Sequence, residues 1–513
     1  DTMDYMPRTR EWFGAGGTTY ANAFATTPLC CPARAGIMSG RFSHNNGVIN
    51  NATAHSLAQG ATIQAYLQDA GYRTALVGKY LNGWGVREEP PHFDDYLVLN
   101  PNGESYYGNN YNDNGISETN PDYSTDVIRD RAVDLIQSDF GGVDHDPWLM
   151  FVTPFAPHGP WEPAARHLNV DVGSWAGNPA VFERDKRDKP QHVRRARRDL
   201  ASVQHVRQGM LRTLLAVDEM VDEIFQTIEA EGEEDTLAFF ASDNGFHWAE
   251  HGLATKNYPY TESIRVPMMA RWPGHIPAGQ TDQRLVANID IPATVLDATG
   301  IPPDPAFPLD GRSLLDPASR SKMLTEGWTG TGGWASIRTP QYQFIELYDE
   351  GGGIRFREYY DLRRDPWQLR NLFGDRRGRN DPFVRPLRRD LAAARACAGT
   401  TGTSACTLLL DQPGIPIRCP GGGRRRGHHM VGSAATDRMR GTKFREVSCG
   451  LEGNDRLRGA RGDDRLIGGL GVDVLVGGPG DDILIGKGER DVCRGGTGRD
   501  RYRGCEVTPN RNR

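Results

Sequence analysis

The chain has 513 residues, enough for a large catalytic domain with appendages. A formal net charge of −6 excludes a global pull toward nucleic acid or anionic membrane. No run of about 18 apolar residues is present to cross a bilayer, so no membrane span is expected. Gly (61) and Pro (33) are abundant, and much of the Gly lies toward the C-terminus. The opening Asp1-Thr2-Met3-Asp4 is not a signal peptide, and it brings neither an initiator Met nor a first apolar strand. Of eight Cys, Cys397, Cys406, Cys419, Cys449, Cys493 and Cys505 fall in the last quarter. That placement suits an oxidising environment without fixing any pairing.

In chain order, the first chemically loaded stretch is Pro28-Leu29-Cys30-Cys31-Pro32-Ala33-Arg34, leading into apolar residues that end at Gly40. Pro32 suits a first helical turn, where a missing N–H costs nothing. The exposed N–H groups of a helix start favour an anion. Arg34 adds a fork of donors matched to a tetrahedral oxyanion. A thiol, a cation and a helix N-terminus within five residues point to sulfuryl or phosphoryl transfer; a buried Cys pair or a disulfide is the plainer alternative.

From residue 1 to about 300, helical patterns alternate with short apolar runs, as in βαβ units around a largely parallel sheet. Thr62–Ala70 reads as a helix and Arg73–Gly78 as the strand after it. Ser124 and Thr125 can cap a helix that carries Ile128, Ala132, Leu135 and Ile136 on one face. Trp148–Val152 reads as a buried strand. A stripe from Val203 to Ile228 marks a long amphipathic helix, followed by the strand Leu237–Ala241. Functional residues in such sheets gather at the carboxyl ends of strands. The Lys- and Arg-rich segment from Glu183 to Arg198 reads as a solvated helix or loop, with steering of a polyanion the lesser option.

Beyond Leu324 the pattern becomes antiparallel: Trp334–Arg338 and Tyr342–Tyr348 read as strands, followed by Tyr359-Tyr360-Asp361-Leu362 and Asp365-Pro366. Residues 397–445 read as linker. Then Asp455, Asp464, Asp473, Asp482, Asp491 and Asp500 recur every nine residues, with Leu or another core residue two positions on and Gly four positions on. Six matches at three positions argue for a periodic structure rather than a Gly-rich tail.

The stretch at Cys30 resembles the sulfatase signature Cys-x-Pro-Ser/Ala-Arg, with Ser39 in place of the usual Thr. The resemblance implies that Cys30 is the residue converted to Cα-formylglycine and that Cys31 fills the variable position. Further landmarks stand in family order: Gly78-Lys79-Tyr80, Ala156-Pro157-His158-Gly159-Pro160, Ser242-Asp243-Asn244-Gly245, His247, His251, Lys256 and Arg265-Val266-Pro267. Thr27-Pro28-Leu29-Cys30-Cys31-Pro32, Asn45 to Asn51 and Gly78-Lys79-Tyr80-Leu81-Asn82 are similar to the N-acetylglucosamine-6-sulfatase branch. Leu81 and Asn82 stand where many sulfatases place a His, which leaves open the group that removes the proton when sulfate is expelled. The nonapeptide resembles RTX calcium-binding β-rolls, in which Asp carboxylates and turn carbonyls supply hard oxygens.

The resemblance implies an α/β fold with an alkaline-phosphatase-like central mixed sheet flanked by helices, a small C-terminal antiparallel subdomain, and then a Gly/Asp β-roll. The corresponding bounds are 1–320, 321–396 and 446–508, with the linker between. It implies Asp243 and Asn244 as ligands of a catalytic Ca²⁺ or Mg²⁺, and Asp455, Asp464, Asp473 and Asp482 as ligands of Ca²⁺ in the repeats. One hydroxyl of the hydrated formylglycine would attack sulfur in line with the leaving alcohol. Arg34, Lys79, His158 and Lys256 would stabilise the equatorial oxygens. The second hydroxyl would then lose its proton, expel sulfate and restore the aldehyde, with His158 or His251 assisting the leaving group. The implied partners are a sulfated small molecule or glycan and a formylglycine-generating enzyme, and the implied location is extracellular.

Sulfatases also begin with a strand ending in two metal-binding Asp residues. Met3 to Arg10 resembles the segment immediately after that strand, so the Asp pair is expected before Asp1, and weak metal binding and poor activity are expected of the sequence as it stands. A phosphodiester or phosphonate monoester hydrolase on the same core, a non-catalytic carbohydrate-binding protein, and a tail that alone carries function are the other readings. Trp84, Trp161 and Trp248 are candidates for stacking on a sugar ring, with core packing the equal alternative.

Overall fold

The computed structural model describes residues 2–100, 105–140, 146–330, 332–374, 382, 384–399, 405–406, 410, 429–432, 436–486 and 490–505. Cys419 and most of the stretch read as linker lie outside the described residues.

Strand β1 (Thr18–Phe24) runs toward helix α1 (Cys30–Ser39). Helix α2 (Ile63–Asp69) ends at Ala70-Gly71, and strand β2 (Arg73–Gly78) starts where the sequence places it. β3 (Asp95–Leu99), β4 (Asn109–Asp113) and β5 (Ile116–Asn120) come next, with β4 and β5 joined by the Asn114-Gly115 turn. Helix α3 (Ser124–Leu135) buries Ile128, Ala132 and Leu135 as the spacing requires. Its cap differs from the expected one. Tyr123 holds the cap position, and the Ser124 and Thr125 hydroxyl oxygens are buried without hydrogen bonds because both residues already lie inside the helix.

Strand β6 (Trp148–Thr153) precedes α4 (Leu200–Ala230), whose Asp199–Ser202 capping box fixes its start. The stripe Val203, Val206, Met210, Leu214, Val217, Val221 and Ile228 is buried along α4. Then come β7 (Ala238–Ala241), β8 (Met268–Arg271), β9 (Gln280–Ala287) and helix α5 (Asp290–Thr299).

The strands form two sheets rather than one largely parallel sheet. The first has the order β7-β8-β1-β9 and the second β5-β4-β3-β2-β6. Among the described residues only β1/β9, β2/β3 and β2/β6 are parallel pairs in this body, because β3–β5 pair antiparallel in succession and β8 enters antiparallel to both of its neighbours. β6 and β7 are the outer strands of the two sheets and both are half-buried along their length, although apolar. Met150 and Val152 of β6 and Ala238 and Phe240 of β7 pack against one shared cluster built on α3, α4, Phe13 and Leu97.

Strands β10 (Met323–Thr329), β11 (Gly332–Arg338), β12 (Tyr342–Tyr348) and β13 (Ile354–Asp361) make an antiparallel meander, as the alternation predicts. Helix α6 (Val384–Arg395) and the Cys397–Cys406 disulfide close its core.

The repeats form a parallel roll. β14 (His429–Val431), β16 (Val447–Glu452), β18 (Arg465–Leu470), β20 (Ile483–Ile485) and β22 (Arg501–Arg503) make one sheet. β15 (Arg438–Arg440), β17 (Arg456–Arg458), β19 (Val474–Pro479) and β21 (Val492–Thr497) make the other. Leu457, Leu466, Leu475, Leu484 and Cys493 fill the thin space between them. The ladder begins inside the stretch read as linker: Met439 and Ser448 pair in register with Leu457 and Leu466.

Candidate active site

Helix α1 starts at Cys30, and Leu29 before it is extended (φ −145°, ψ 138°). Gly40 ends it in the left-handed region at φ 66°, where a β-carbon would also meet Leu309 at 2.8 Å. This geometry separates the two adjacent thiols. Cys31 packs in an apolar cluster with Tyr80, Leu81 and Trp84; its N–H donates to Asn51 Oδ1 (3.1 Å), and its Sγ lies 3.8 Å from the Asn82 carbonyl. Burial pushes the Cys31 thiol up to about 12.

Cys30 is also buried but meets cations: Lys256 Nζ lies 2.8 Å from its Sγ. Burial and the Asp243 charge oppose ionisation of Cys30. The His158 hydrogen bond and the Lys256 and Lys79 charges outweigh them, and the thiol is held below its ordinary value.

Lys79 and His158 approach Cys30 from loops that follow strands, and Lys256 from the longer loop between β7 and β8. Lys79 comes directly after β2 and is buried, its N–H donating to the Thr153 carbonyl at 2.8 Å and its Nζ lying 5.7 Å from the centre of the Phe155 ring. His158 lies beyond β6 in a loop with cis peptides at Ala156-Pro157 and Gly159-Pro160. Its ring lies 5.1 Å from Phe155, and its carbonyl accepts a hydrogen bond from the Tyr106 hydroxyl at 2.8 Å. Tyr106 carries no local signature of this role; the contact spans 52 residues of sequence. The backbone of Asn257, next to Lys256, donates to the Pro28 carbonyl (3.1 Å), and its side-chain amide donates to the Trp328 carbonyl (3.0 Å). The C-terminal meander thus braces the lysine against the nucleophile segment.

Arg34 takes a different position from the expected oxyanion fork. Its Nε donates to Asp243 Oδ2 at 3.2 Å, and its Nη1 donates to the carbonyls of Lys79 and Tyr80. These contacts make it a tie between α1, β2 and the Asp243 turn. Burial opposes the Asp243 charge, but Arg34, Lys256 and Lys79 hold its carboxyl below the usual carboxylate range. The turn that carries Asp243 is tight: a β-carbon at Gly245 would meet the Glu262 carbonyl oxygen at 2.1 Å.

Asn244 Oδ1 is buried with no hydrogen-bond partner. A half-buried carboxylate, paired on one side with Arg34, beside an unpartnered amide oxygen suits a hard divalent cation. Among the described residues no three His, Cys, Asp or Glu side chains converge as a metal cluster, so Asp243 and Asn244 are the donors seen here.

His251 stands apart from this group. It is fully buried, its Nδ1 lies 2.7 Å from Glu183 Oε2, and its ring is 4.5 Å from that of Tyr260. Burial, followed by the Lys189 and Lys186 charges, drives it well below its ordinary pKa, so it is neutral at pH 7. Positive φ at Ala249 (74°) and His251 (54°) turns the segment inward, and the described contacts of the ring run to Glu183 and Tyr260 rather than to Cys30. Trp84 is core, stacked on His55 at 4.6 Å and edge-on to Tyr80. Trp248 packs against Trp175 (5.8 Å) under the Arg207 guanidinium (5.4 Å).

In the roll, each Asp ties two successive turns. The Oδ1 atoms of Asp455, Asp464, Asp473 and Asp482 accept N–H groups 18 residues upstream, from Asp437, Glu446, Asp455 and Asp464, at 2.7–2.8 Å. Two nonapeptides therefore make one turn. The Oδ2 atoms of Asp455, Asp464 and Asp482 are buried without hydrogen bonds, and a β-carbon at Gly459 would meet Asp464 Oδ2 at 2.3 Å. Burial raises the carboxyls of Asp455 and Asp464 to about 6 and that of Asp482 to about 7. Rows of buried, unpaired carboxylate oxygens suit Ca²⁺.

A buried thiol at a helix start is met by two lysines and a histidine beside an Asp-Asn pair, an arrangement whose charge suits a tetrahedral oxyanion. The sulfatase family model matches residues 1–301, and the chain belongs to the sulfatase family, with its alkaline-phosphatase-like fold. The RTX calcium-binding nonapeptide repeat matches residues 450–484 and 467–502. A Sulf-1 homologue of Caenorhabditis elegans, named as an extracellular sulfatase, is 33% identical over 358 residues, which cover 65% of this chain and 49% of the relative. The N-acetylglucosamine-6-O-sulfatase of Bacteroides thetaiotaomicron is 28% identical over 446 residues, covering 70% of this chain and 76% of that protein. A structure solved in complex with its substrate D-glucosamine-2-N,6-O-disulfate matches with a TM-score of 0.63 and 25% identity, over 72% of this chain and 88% of the other. The chain spans about half the length of the nematode relative. No helix among the described residues is long and apolar enough to cross a membrane.

Proposed function

We propose that this chain is a sulfuric ester hydrolase acting outside the cell on the 6-O-sulfate of glucosamine-type carbohydrates. The observation that carries the reading is the approach of Lys256 to Cys30 at 2.8 Å, with His158 and Lys79 beside them. Oxidised to formylglycine by a formylglycine-generating enzyme, Cys30 supplies the hydrate nucleophile. Lys79 and Lys256 neutralise the sulfate oxygens, and His158 hydrogen-bonds the reacting oxygen and is the group placed to hand a proton to the leaving alcohol. Arg34 acts through Asp243, holding it in place, rather than on the ester directly. A divalent cation on Asp243 and Asn244 would polarise the nucleophile, and Ca²⁺ in the roll would neutralise the Asp rows.

The substrate assignment rests on the N-acetylglucosamine-6-O-sulfatase relative and on the disulfated glucosamine named for the matching structure. It is tested by comparing hydrolysis of N-acetylglucosamine-6-sulfate with that of a phosphodiester and a phosphonate monoester. Preference for the sulfate ester is expected; preference for either phosphorus ester overturns the assignment.

A further inference from the structure

A second cationic feature lies outside the cluster at Cys30. Arg184, Lys186, Arg187, Arg194, Arg197 and Arg198 line one groove of about 410 Å³, with Gly252 and the inward-turned Glu183 at its floor. The five arginines are solvent-exposed. Among the described residues the side chains of Arg184, Arg194 and Arg198 make no hydrogen bond or ion pair, and of the five only Arg187 is ion-paired, to Asp185 at 2.7 Å. Among the described residues Glu183 is the one carboxylate lining the groove; it is 4% exposed and turned toward Lys189 and His251, and its charge is felt by Lys186.

The cations are held together by the fold. Lys186 Nζ donates to the carbonyls of Ala196 (2.7 Å) and His251 (3.0 Å), and the Arg198 N–H donates to the Gly252 carbonyl (2.9 Å). Burial and the neighbouring Arg197 charge both lower the Lys186 pKa, so the ammonium is crowded by a like charge. A chain of net charge −6 that pins so many cations in one concavity creates a local potential suited to a polyanion.

The groove adjoins the reactive segment. Gly252 is four residues from Lys256, so their Cα atoms are at most about 14 Å apart. Among the described residues no aromatic side chain lines the groove to stack on nucleobases, and its concave shape does not match a flat lipid surface.

We infer that the groove between Glu183 and Arg198 is an anion subsite that seats the flanking sulfate and carboxylate groups of an extended sulfated polysaccharide while one ester reaches Cys30. The link to turnover rests on the hydrolase reading above; the binding itself does not. Arginine forks suit such groups bidentately.

The test uses the full chain and a triple variant, Arg184→Gln, Arg194→Gln and Arg198→Gln, with heparin as the probe. The variant should lose at least about tenfold in heparin affinity, with a shallower dependence on NaCl. Its turnover of N-acetylglucosamine-6-sulfate should stay within about twofold of the parent, since the three side chains lie outside the cluster at Cys30. Unchanged heparin affinity overturns the inference. So does parent binding to double-stranded DNA or phosphatidylserine vesicles that is as tight as to heparin and lost in the same variant. Loss of heparin binding when the parent itself hydrolyses no sulfated sugar supports the groove and defeats the hydrolase reading.

Discussion

Lys256 Nζ lies 2.8 Å from Cys30 Sγ, across 226 residues of sequence. The short distance brings a fixed cation to the atom at which the proposed chemistry happens. Lys256→Met should lower kcat by about 10²–10³, the usual cost of removing one donor from a developing oxyanion. His251→Gln should leave kcat far less affected, since that ring is engaged with Glu183. Steady-state kinetics on N-acetylglucosamine-6-sulfate separate the two outcomes; equal losses would return His251 to the chemistry.

The Tyr106 hydroxyl holds the His158 carbonyl at 2.8 Å. Tyr106→Phe should cost about 1 kcal/mol of this anchoring. Because the tyrosine acts through His158, kcat should fall about fivefold with KM nearly constant. A change in KM alone would show that Tyr106 shapes the binding pocket instead.

Glu358 is fully buried and accepts hydrogen bonds from the Tyr260 hydroxyl (3.0 Å) and the Tyr360 hydroxyl (2.5 Å). Burial raises its carboxyl from 4.5 to about 7, against the opposing pull of Lys189 and the two tyrosines. The folded state therefore binds the proton more tightly than the unfolded one. Its contribution to stability is present below the unfolded value and is lost as pH rises through about 7. Thermal denaturation of Glu358→Gln should lose that part of the decline between pH 5 and pH 7.5, visible as a Tm gap from the parent that narrows or reverses at the higher pH. A parallel shift at every pH would mean that Glu358 is charged throughout.

The roll should depend on Ca²⁺, because Asp464 Oδ2 and Asp482 Oδ2 are buried without protein partners. Chelation should reduce the far-ultraviolet strand signal and expose the Leu457–Leu484 core to a hydrophobic dye. Asp464→Asn with Asp482→Asn should weaken Ca²⁺ binding at least about tenfold by isothermal titration. Calcium-independent strand content would show that N–H to Oδ1 bonds alone sustain the ladder.

The sequence exposed the features that are local or periodic. The register around Cys30 and Pro32 separates the two thiols, and β2 and β6 fall where their apolar runs lie. Lys79, His158 and Asp243 follow strand ends closely, and Lys256 joins them from a longer loop anchored to Pro28 through Asn257. The features that escaped depend on long-range packing. Arg34 pairs with Asp243 and two carbonyls, a use that no spacing announces. His251 sits beside the Asp-Asn turn in sequence, but left-handed backbone at Ala249 and His251 rotates it inward. The roll starts earlier than its regular repeat because Glu446 and Ser448 interrupt the Asp and Leu pattern, hiding the preceding Asp437, Met439 and Gly441.

The most direct test of the central claim is peptide mass analysis across Cys30, on chain produced with an active formylglycine-generating enzyme. The account predicts a loss of about 18 Da at Cys30, with Cys31 unchanged and hydrolysis of N-acetylglucosamine-6-sulfate rising with the modified fraction. An unmodified Cys30 beside an enzyme proven active on a control peptide would contradict it.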